Sequence, residues 1–247
     1  MTSRNIFLTG ASRGIGAVIA LELARRGHRV GCFSRGGGGP EGIDVPTDLA
    51  ERLLPLKGDV ADETEVSAAL DAFAKTVGRV DGVVNNAGVH VTGRSESQPL
   101  AEFERVLRTN ATAVFSVCQK AHPHLVAAGG GLIVNIGSFF DKLGVRHNTA
   151  YCASKAAVAA ITRCLAVEWA QQGIRVTTVA PGYVETDLNK DFLASEKTRA
   201  FLASRIPVGG PAQADQVARL VACLFDENLP FLTGETIYLD GGQGIAH

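Results

Sequence analysis

Short apolar runs rich in β-branched residues alternate along the chain with longer stretches of helical period. The runs are 5–10 (NIFLTG), 29–34 (RVGCFS), 53–58 (LLPLKG), 80–86 (VDGVVNN), 131–138 (GLIVNIGS), 174–182 (IRVTTVAPG) and 235–242 (ETIYLDGG). They show little apolar–polar alternation, as strands buried on both faces do. Between the runs the period lengthens. In 62–77, Val66, Leu70, Phe73 and Val77 recur on one helical face, and Asp62 stands where an N-cap belongs. Strands separated by helices predict an α/β protein: a Rossmann-like, doubly wound, seven-stranded parallel sheet with helices on both faces, in one domain over 1–247.

Two segments break the rhythm. Residues 36–46 (GGGGPEGIDVP) are poor helix material where a crossover helix is due, which shortens that helix to 47–52. Residues 187–206 intervene between the sixth and seventh strands, and the pairs Phe192/Leu193 and Phe201/Leu202 predict short helices. The strand ends before this insertion point toward the ligand crevice of such a sheet, which makes it a substrate lid or surface decoration.

Composition narrows the class. A formal net charge of −1 gives no bulk electrostatic reason for a nucleic-acid or membrane partner. The five cysteines are scattered, forming neither a disulfide framework nor a zinc spacing, and no metal site is expected. No leader precedes the first strand, and no apolar run reads as long enough to span a bilayer; the expectation is a cytoplasmic protein.

Candidate chemistry starts at 9–16 (TGASRGIG), between the first strand and a helix. Gly10 permits the tight turn, while Gly14 and Gly16 let the backbone approach a pyrophosphate at the helix N-terminus. Tyr151 and Lys155, in YCASK, lie four apart on one face of a long helical stretch beginning near 148. A phenol of ordinary pKa, about 10, is a poor proton donor or acceptor at neutral pH; a neighbouring ammonium would lower it. Ser138 ends the fifth strand thirteen residues earlier, at the edge of the crevice.

TGxxxGxG at 9–16, NNAG at 85–88 and YCASK at 151–155, in that order and through PG (181–182) and YLDGG (238–242), resemble the short-chain dehydrogenase/reductase family over essentially the whole chain. The resemblance implies a nicotinamide dinucleotide and an oxidoreductase that converts a ketone to a secondary alcohol, or the reverse. Tyr151 would then exchange the proton with the carbonyl oxygen and Ser138 would bond that oxygen. Lys155 would hold the nicotinamide ribose, and Asn110 would support Lys155 through water. Cofactor contacts would come from Gly10, Ser12, Arg13, Gly14, Ile15 and Gly16. Asp59 and Val60 would meet the adenine, with Asn86, Ala87 and Gly88 alongside the cofactor. Tyr151 and Lys155 contribute again, and Pro181, Gly182, Val184 and Thr186 would hold the carboxamide end. From the residues alone, Asp59 reads equally as a helix cap, and Asn110 as a satisfied core amide.

Relatives that use NAD carry an Asp where this chain has Ser34. A carboxylate there would repel a ribose 2′-phosphate; a serine can bond it, and Arg35 and Arg13 can pair with it. NADP(H) is the expected cofactor, and the glycines 36–39 would leave the phosphate room. Length and the TGETIYLDGG ending resemble 3-oxoacyl-acyl-carrier-protein reductases, which implies a homotetramer. Their carrier-docking cations are absent from 127–132 (AAGGGL) and 170–174 (AQQGI), which favours a free ketone or a coenzyme-A thioester. Enoyl reductases space the tyrosine and lysine more widely. A dinucleotide sensor without catalysis is the reading from another class, and the Ser138, Tyr151 and Lys155 set argues against it. His90 and His147 are read as solvent-facing, HPH (122–124) as a helix end, and one of Phe139 and Phe140 as lining an apolar pocket.

Overall fold

The computed structural model describes residues 3–186 and 195–246. Seven parallel strands form one sheet: β1 (Asn5–Thr9), β2 (Arg29–Ser34), β3 (Leu53–Lys57), β4 (Gly82–Asn85), β5 (Gly131–Ile136), β6 (Ile174–Pro181) and β9 (Thr236–Leu239). Their order is β3-β2-β1-β4-β5-β6-β9. The winding reverses between β1 and β4, which opens a crevice at the carboxyl ends of those strands. Two short strands, β7 (Val184–Glu185) and β8 (Ala212–Gln213), pair beside the sheet.

Period two within each strand sorts its residues to opposite faces. Ile6 and Leu8 of β1, Val84 of β4, and Leu132 and Val134 of β5 pack under helices α1 (Gly14–Arg25) and α8 (Ala214–Asp226). Phe7, Val83 and Ile133 turn the other way, to α3 (Glu63–Val77), α5 (Ala113–Ala127) and α6 (Thr149–Trp169). The remaining helices are α2 (Thr47–Ala50), α4 (Leu100–Leu107) and α7 (Glu196–Arg205).

Local expectations hold in several places. Asp62 caps α3, accepting from Thr64 N and Glu65 N, and Val66, Leu70 and Phe73 bury its apolar face. The second crossover helix shrinks to the four residues of α2 because glycine and proline dominate 36–46. Asp59 is not the cap; it accepts from Ala61 N in the preceding turn.

HPH at 122–124 lies in the last turns of α5, which ends at Ala127, in keeping with a helix end, and His122 packs its ring on Trp169. Pro123 lies within the helix, where it has no N–H to donate to the ladder. By length and composition 149–172 could cross a membrane, but much of it packs inside the protein and its helix carries buried Ser154 and Lys155. In the expected lid, 187–194, with Phe192 and Leu193, lies outside the described residues. The rest forms α7, whose Leu202 joins Ile206 against Tyr183 while Phe201 stays exposed.

Candidate active site

The glycine loop joins β1 to α1. The backbone of Gly10 has φ +67°, and a Cβ there would lie 2.8 Å from the Ala87 Cα. A Cβ on Gly16 would collide with the Gly10 carbonyl and the Asn86 side-chain amide. That amide donates to Thr9 O (3.2 Å) and Gly10 O (3.0 Å), and Thr9 Oγ1 accepts from the N–H groups of Asn86 and Ala87. Two strand ends are thereby riveted together around a loop whose Gly10, Gly14 and Gly16 carry no side chains. Arg13 occupies the N-cap of α1 without a side-chain cap bond, so the N-cap side chain leaves the first N–H groups of the helix to a ligand. Such a cradle fits a dinucleotide pyrophosphate.

The other expected cofactor residues follow the same line of strand ends. Ser34 ends β2 and Arg35 follows it, Asp59 and Val60 follow β3, Gly88 follows β4, and Pro181, Gly182, Val184 and Thr186 lie at the ends of β6 and β7. Ser34 is buried, and its hydroxyl donates to Gly38 O at 3.4 Å. Arg35 shares a cavity of about 590 Å³ with Lys57, Asp59 and Glu65. Lys57 is the register partner of Ser34 across the β2–β3 pairing, a cation the sequence did not single out. Neither was Glu41, whose N–H donates to Ser12 O at 2.6 Å and whose carboxylate lies beside Gly38.

Ser138, Tyr151 and Lys155 converge at the crevice. Lys155, only 5% exposed, donates to Ile136 O at 2.8 Å, with its nitrogen 5.6 Å from the centre of the Tyr151 ring. Burial pushes this amine down to about 8. Burial also pushes the Tyr151 phenol up to about 12, against a hydrogen bond from Ser138 that favours the phenolate. The expected lowering of the tyrosine pKa by Lys155 is therefore not what this arrangement produces: desolvation outweighs the Ser138 hydrogen bond. At neutral pH the phenol keeps its proton, the state a proton donor needs.

Asn110 sits one layer behind, in a π-helical turn (Arg108–Thr112) between α4 and α5. Its amide accepts from Val89 N (2.8 Å) and donates to Val89 O (2.8 Å) and Ser154 Oγ (3.1 Å). Ser154 in turn donates to Tyr151 O. The Asn110 side chain thus ties the loop after β4 to α6.

Aromatic rings wall the site. Phe139 and Phe140 are both buried and both pack on Tyr183, and Phe140 meets Tyr151 edge-on at 6.0 Å. His90, exposed as expected, nevertheless stacks against Tyr151 with ring centres 4.5 Å apart. Only its two-residue distance from NNAG pointed there, because the contact spans two loops.

Comparison with known proteins places this geometry. Residues 10–243 match a family model described as enoyl-(acyl carrier protein) reductase. The chain is 32% identical to 3beta-hydroxysteroid dehydrogenase 1 of Eggerthella lenta over 99% of this chain and 95% of that protein. It is 33% identical to the 3-oxoacyl-(acyl-carrier-protein) reductase MabA of Mycobacterium tuberculosis, over 99% and 94%. A crystal structure of a gluconate 5-dehydrogenase from Burkholderia cenocepacia, in complex with NADP and tartrate, superposes with a TM-score of 0.88 at 30% identity, covering 100% of this chain and 97% of that one. With the whole fold and the ordered motifs in common, the chain belongs to the short-chain dehydrogenase/reductase family and is an oxidoreductase of ketones and secondary alcohols that works with a nicotinamide dinucleotide.

Proposed function

We propose that the protein is an NADPH-dependent reductase of a free ketone, or the corresponding alcohol dehydrogenase, with Tyr151 as acid/base. The observation that carries this reading is the meeting of Tyr151, Ser138 and a buried Lys155 at the crevice. Tyr151 Oη donates its proton to the carbonyl oxygen of the substrate, and the Ser138 hydroxyl donates a hydrogen bond to the same oxygen. Charge then builds on the phenol oxygen, where the neighbouring Lys155 ammonium stabilises it. Lys155 would also hold the nicotinamide ribose, and the nicotinamide, when bound, would supply or accept the hydride. Asn110 and Ser154 hold the first turns of α6, and hence Tyr151, in register.

Gly10, Ser12, Arg13, Gly14, Ile15 and Gly16 hold the pyrophosphate end, Asp59 and Val60 the adenine, and Asn86, Ala87 and Gly88 the middle of the cofactor. Pro181, Gly182, Val184 and Thr186 hold the carboxamide end. Arg35, Arg13 and Ser34 take the ribose 2′-phosphate, and Lys57 joins them. NADP in a structural neighbour supports this choice, as does the lack of an acidic residue at position 34.

The second reading is a 3-oxoacyl thioester reductase, supported by the similarity to MabA. The whole chain forms one domain and works as a cytoplasmic homotetramer. Exposed apolar side chains on α5 (Phe115), α6 (Val167) and near the last strand (Phe231, Ile245) support the assembly.

The test follows NADPH and NADH oxidation with a panel of free ketones beside acetoacetyl-coenzyme A, for the wild type and Tyr151→Phe. Ketone turnover that Tyr151→Phe abolishes, with cofactor binding retained, supports the reading. A strong thioester preference replaces it with the second reading, and turnover that survives Tyr151→Phe overturns the acid/base assignment.

A further inference from the structure

Two loops are laced together over the entrance to the site. The loop after β4 carries His90, and the loop before α6 ends on Asn148. Gly93 N donates to His147 O (2.9 Å), and the hydroxyls of Ser95 and Thr149 bond at 2.7 Å. The third tie is His90 Nε2 to Asn148 Oδ1 at 2.6 Å.

Asn148 occupies the N-cap of α6, the helix that carries Tyr151, and asparagine is among the best capping residues. Here it makes no side-chain cap bond. Its Nδ2 donates to Arg146 O (2.8 Å), which turns Oδ1 toward the imidazole. The preceding residue, His147, has φ +64°, and among the described residues it is the single non-glycine residue in the left-handed region. A side chain with a Cβ adopts that conformation only under strain. A cap bond is thus forgone and a strained residue accepted in a turn whose visible product is an oriented histidine.

The orientation has a chemical consequence. An amide oxygen accepts, so Nε2 carries the hydrogen and Nδ1 of the neutral ring is an acceptor. Nδ1 has no partner among the described residues. It belongs to an exposed ring lying against Tyr151, whose hydroxyl meets the reacting oxygen.

We infer that His90 is a substrate-binding residue whose Nδ1 accepts a hydrogen bond from a hydroxyl on the carbon next to the reacting one, so that the substrates are α-hydroxy ketones and the vicinal diols they form. This rests on the reading of Tyr151 as acid/base, which sets where the carbonyl lies. A simple 3-oxoacyl chain offers no hydroxyl at that position and leaves Nδ1 unused.

The test compares hydroxyacetone with butan-2-one, which exchanges the hydroxyl for a methyl group. The ratio of their kcat/KM values is measured with the reduced cofactor for wild type, His90→Phe and His90→Gln. Phenylalanine keeps a ring against Tyr151 without an acceptor; glutamine restores an acceptor oxygen. The ratio is expected to fall roughly five- to tenfold in His90→Phe, the scale of one neutral hydrogen bond, and to recover in part in His90→Gln. An unchanged ratio in His90→Phe, or a wild type that reduces neither ketone, overturns the inference. Tyr151→Phe is run on the same pair: if it abolishes turnover while His90→Phe leaves the ratio unchanged, only the role of His90 fails. If turnover survives Tyr151→Phe, the acid/base reading fails instead.

Discussion

Lys155 reaches the carbonyl of Ile136 from the helix that carries Tyr151, so the catalytic helix is pinned to the end of β5 by the side chain that also stands beside the phenol. One buried amine thus serves both architecture and chemistry, and the two roles separate by pH. Its ionised form is disfavoured by burial and returns to neutral at about 8.

For catalysis, ketone reduction is expected to fall as pH rises through about 8, where Lys155 loses its charge, while Tyr151 keeps its proton to about 12. A pH profile of kcat/KM for reduction checks this, and a profile flat to pH 10 would contradict it. Lys155→Met should lower kcat by roughly 10²–10⁴-fold, as should Tyr151→Phe.

For stability the sign is fixed by linkage. The folded-state pKa of Lys155 lies below its ordinary value of 10.5, so between 8 and 10.5 the unfolded chain binds the extra proton. Stability from this residue therefore rises with pH across that window, by on the order of 1–3 kcal/mol. Denaturant titrations at pH 8 and 10.5 should show the increment in the wild type and lose it in Lys155→Met.

His28 is a second buried base, at the opposite end of the sheet. It accepts from Arg4 N through Nδ1 and donates from Nε2 to Asp226, and burial lowers its pKa below 6.5. As pH falls through the ordinary histidine range the unfolded chain takes up a proton that the folded one resists, so stability is complete above that range and is lost below it. Tm measured from pH 7.5 to 5.5 should drop more steeply in the wild type than in His28→Asn.

Cofactor choice is expected to depend on three charged side chains around Ser34. Arg35→Ala and Lys57→Ala should each raise the KM for NADPH roughly tenfold and leave that for NADH nearly unchanged. Glu41→Gln should act oppositely, because its carboxylate lies beside Gly38 at the same end of the crevice. Equal effects on both cofactors would place these residues away from the 2′-phosphate.

Gly16→Ala should abolish dinucleotide binding, measured by fluorescence titration with NADPH. The added methyl group has no room between the Gly10 carbonyl and the Asn86 amide. Overpacking of this kind costs roughly 1–3 kcal/mol and must push the two strand ends apart.

Much of the protein is written in local pattern. Apolar runs mark all seven strands of the sheet, Asp62 marks the start of α3, and 36–46 announces a shortened helix, because each depends on the chain's own period, caps and breakers. The glycine loop and the four-residue spacing of Tyr151 and Lys155 are legible for the same reason: each lies in one short contiguous stretch of chain. The tertiary structure alone decided what crosses between elements. It placed Lys57 opposite Ser34, set Glu41 against the glycine loop, turned Asn110 toward Val89 and Ser154, and stacked His90 on Tyr151. It also reversed the expected direction of the Tyr151 pKa, because burial belongs to the packed protein and has no signature in the spacing of two residues on a helix.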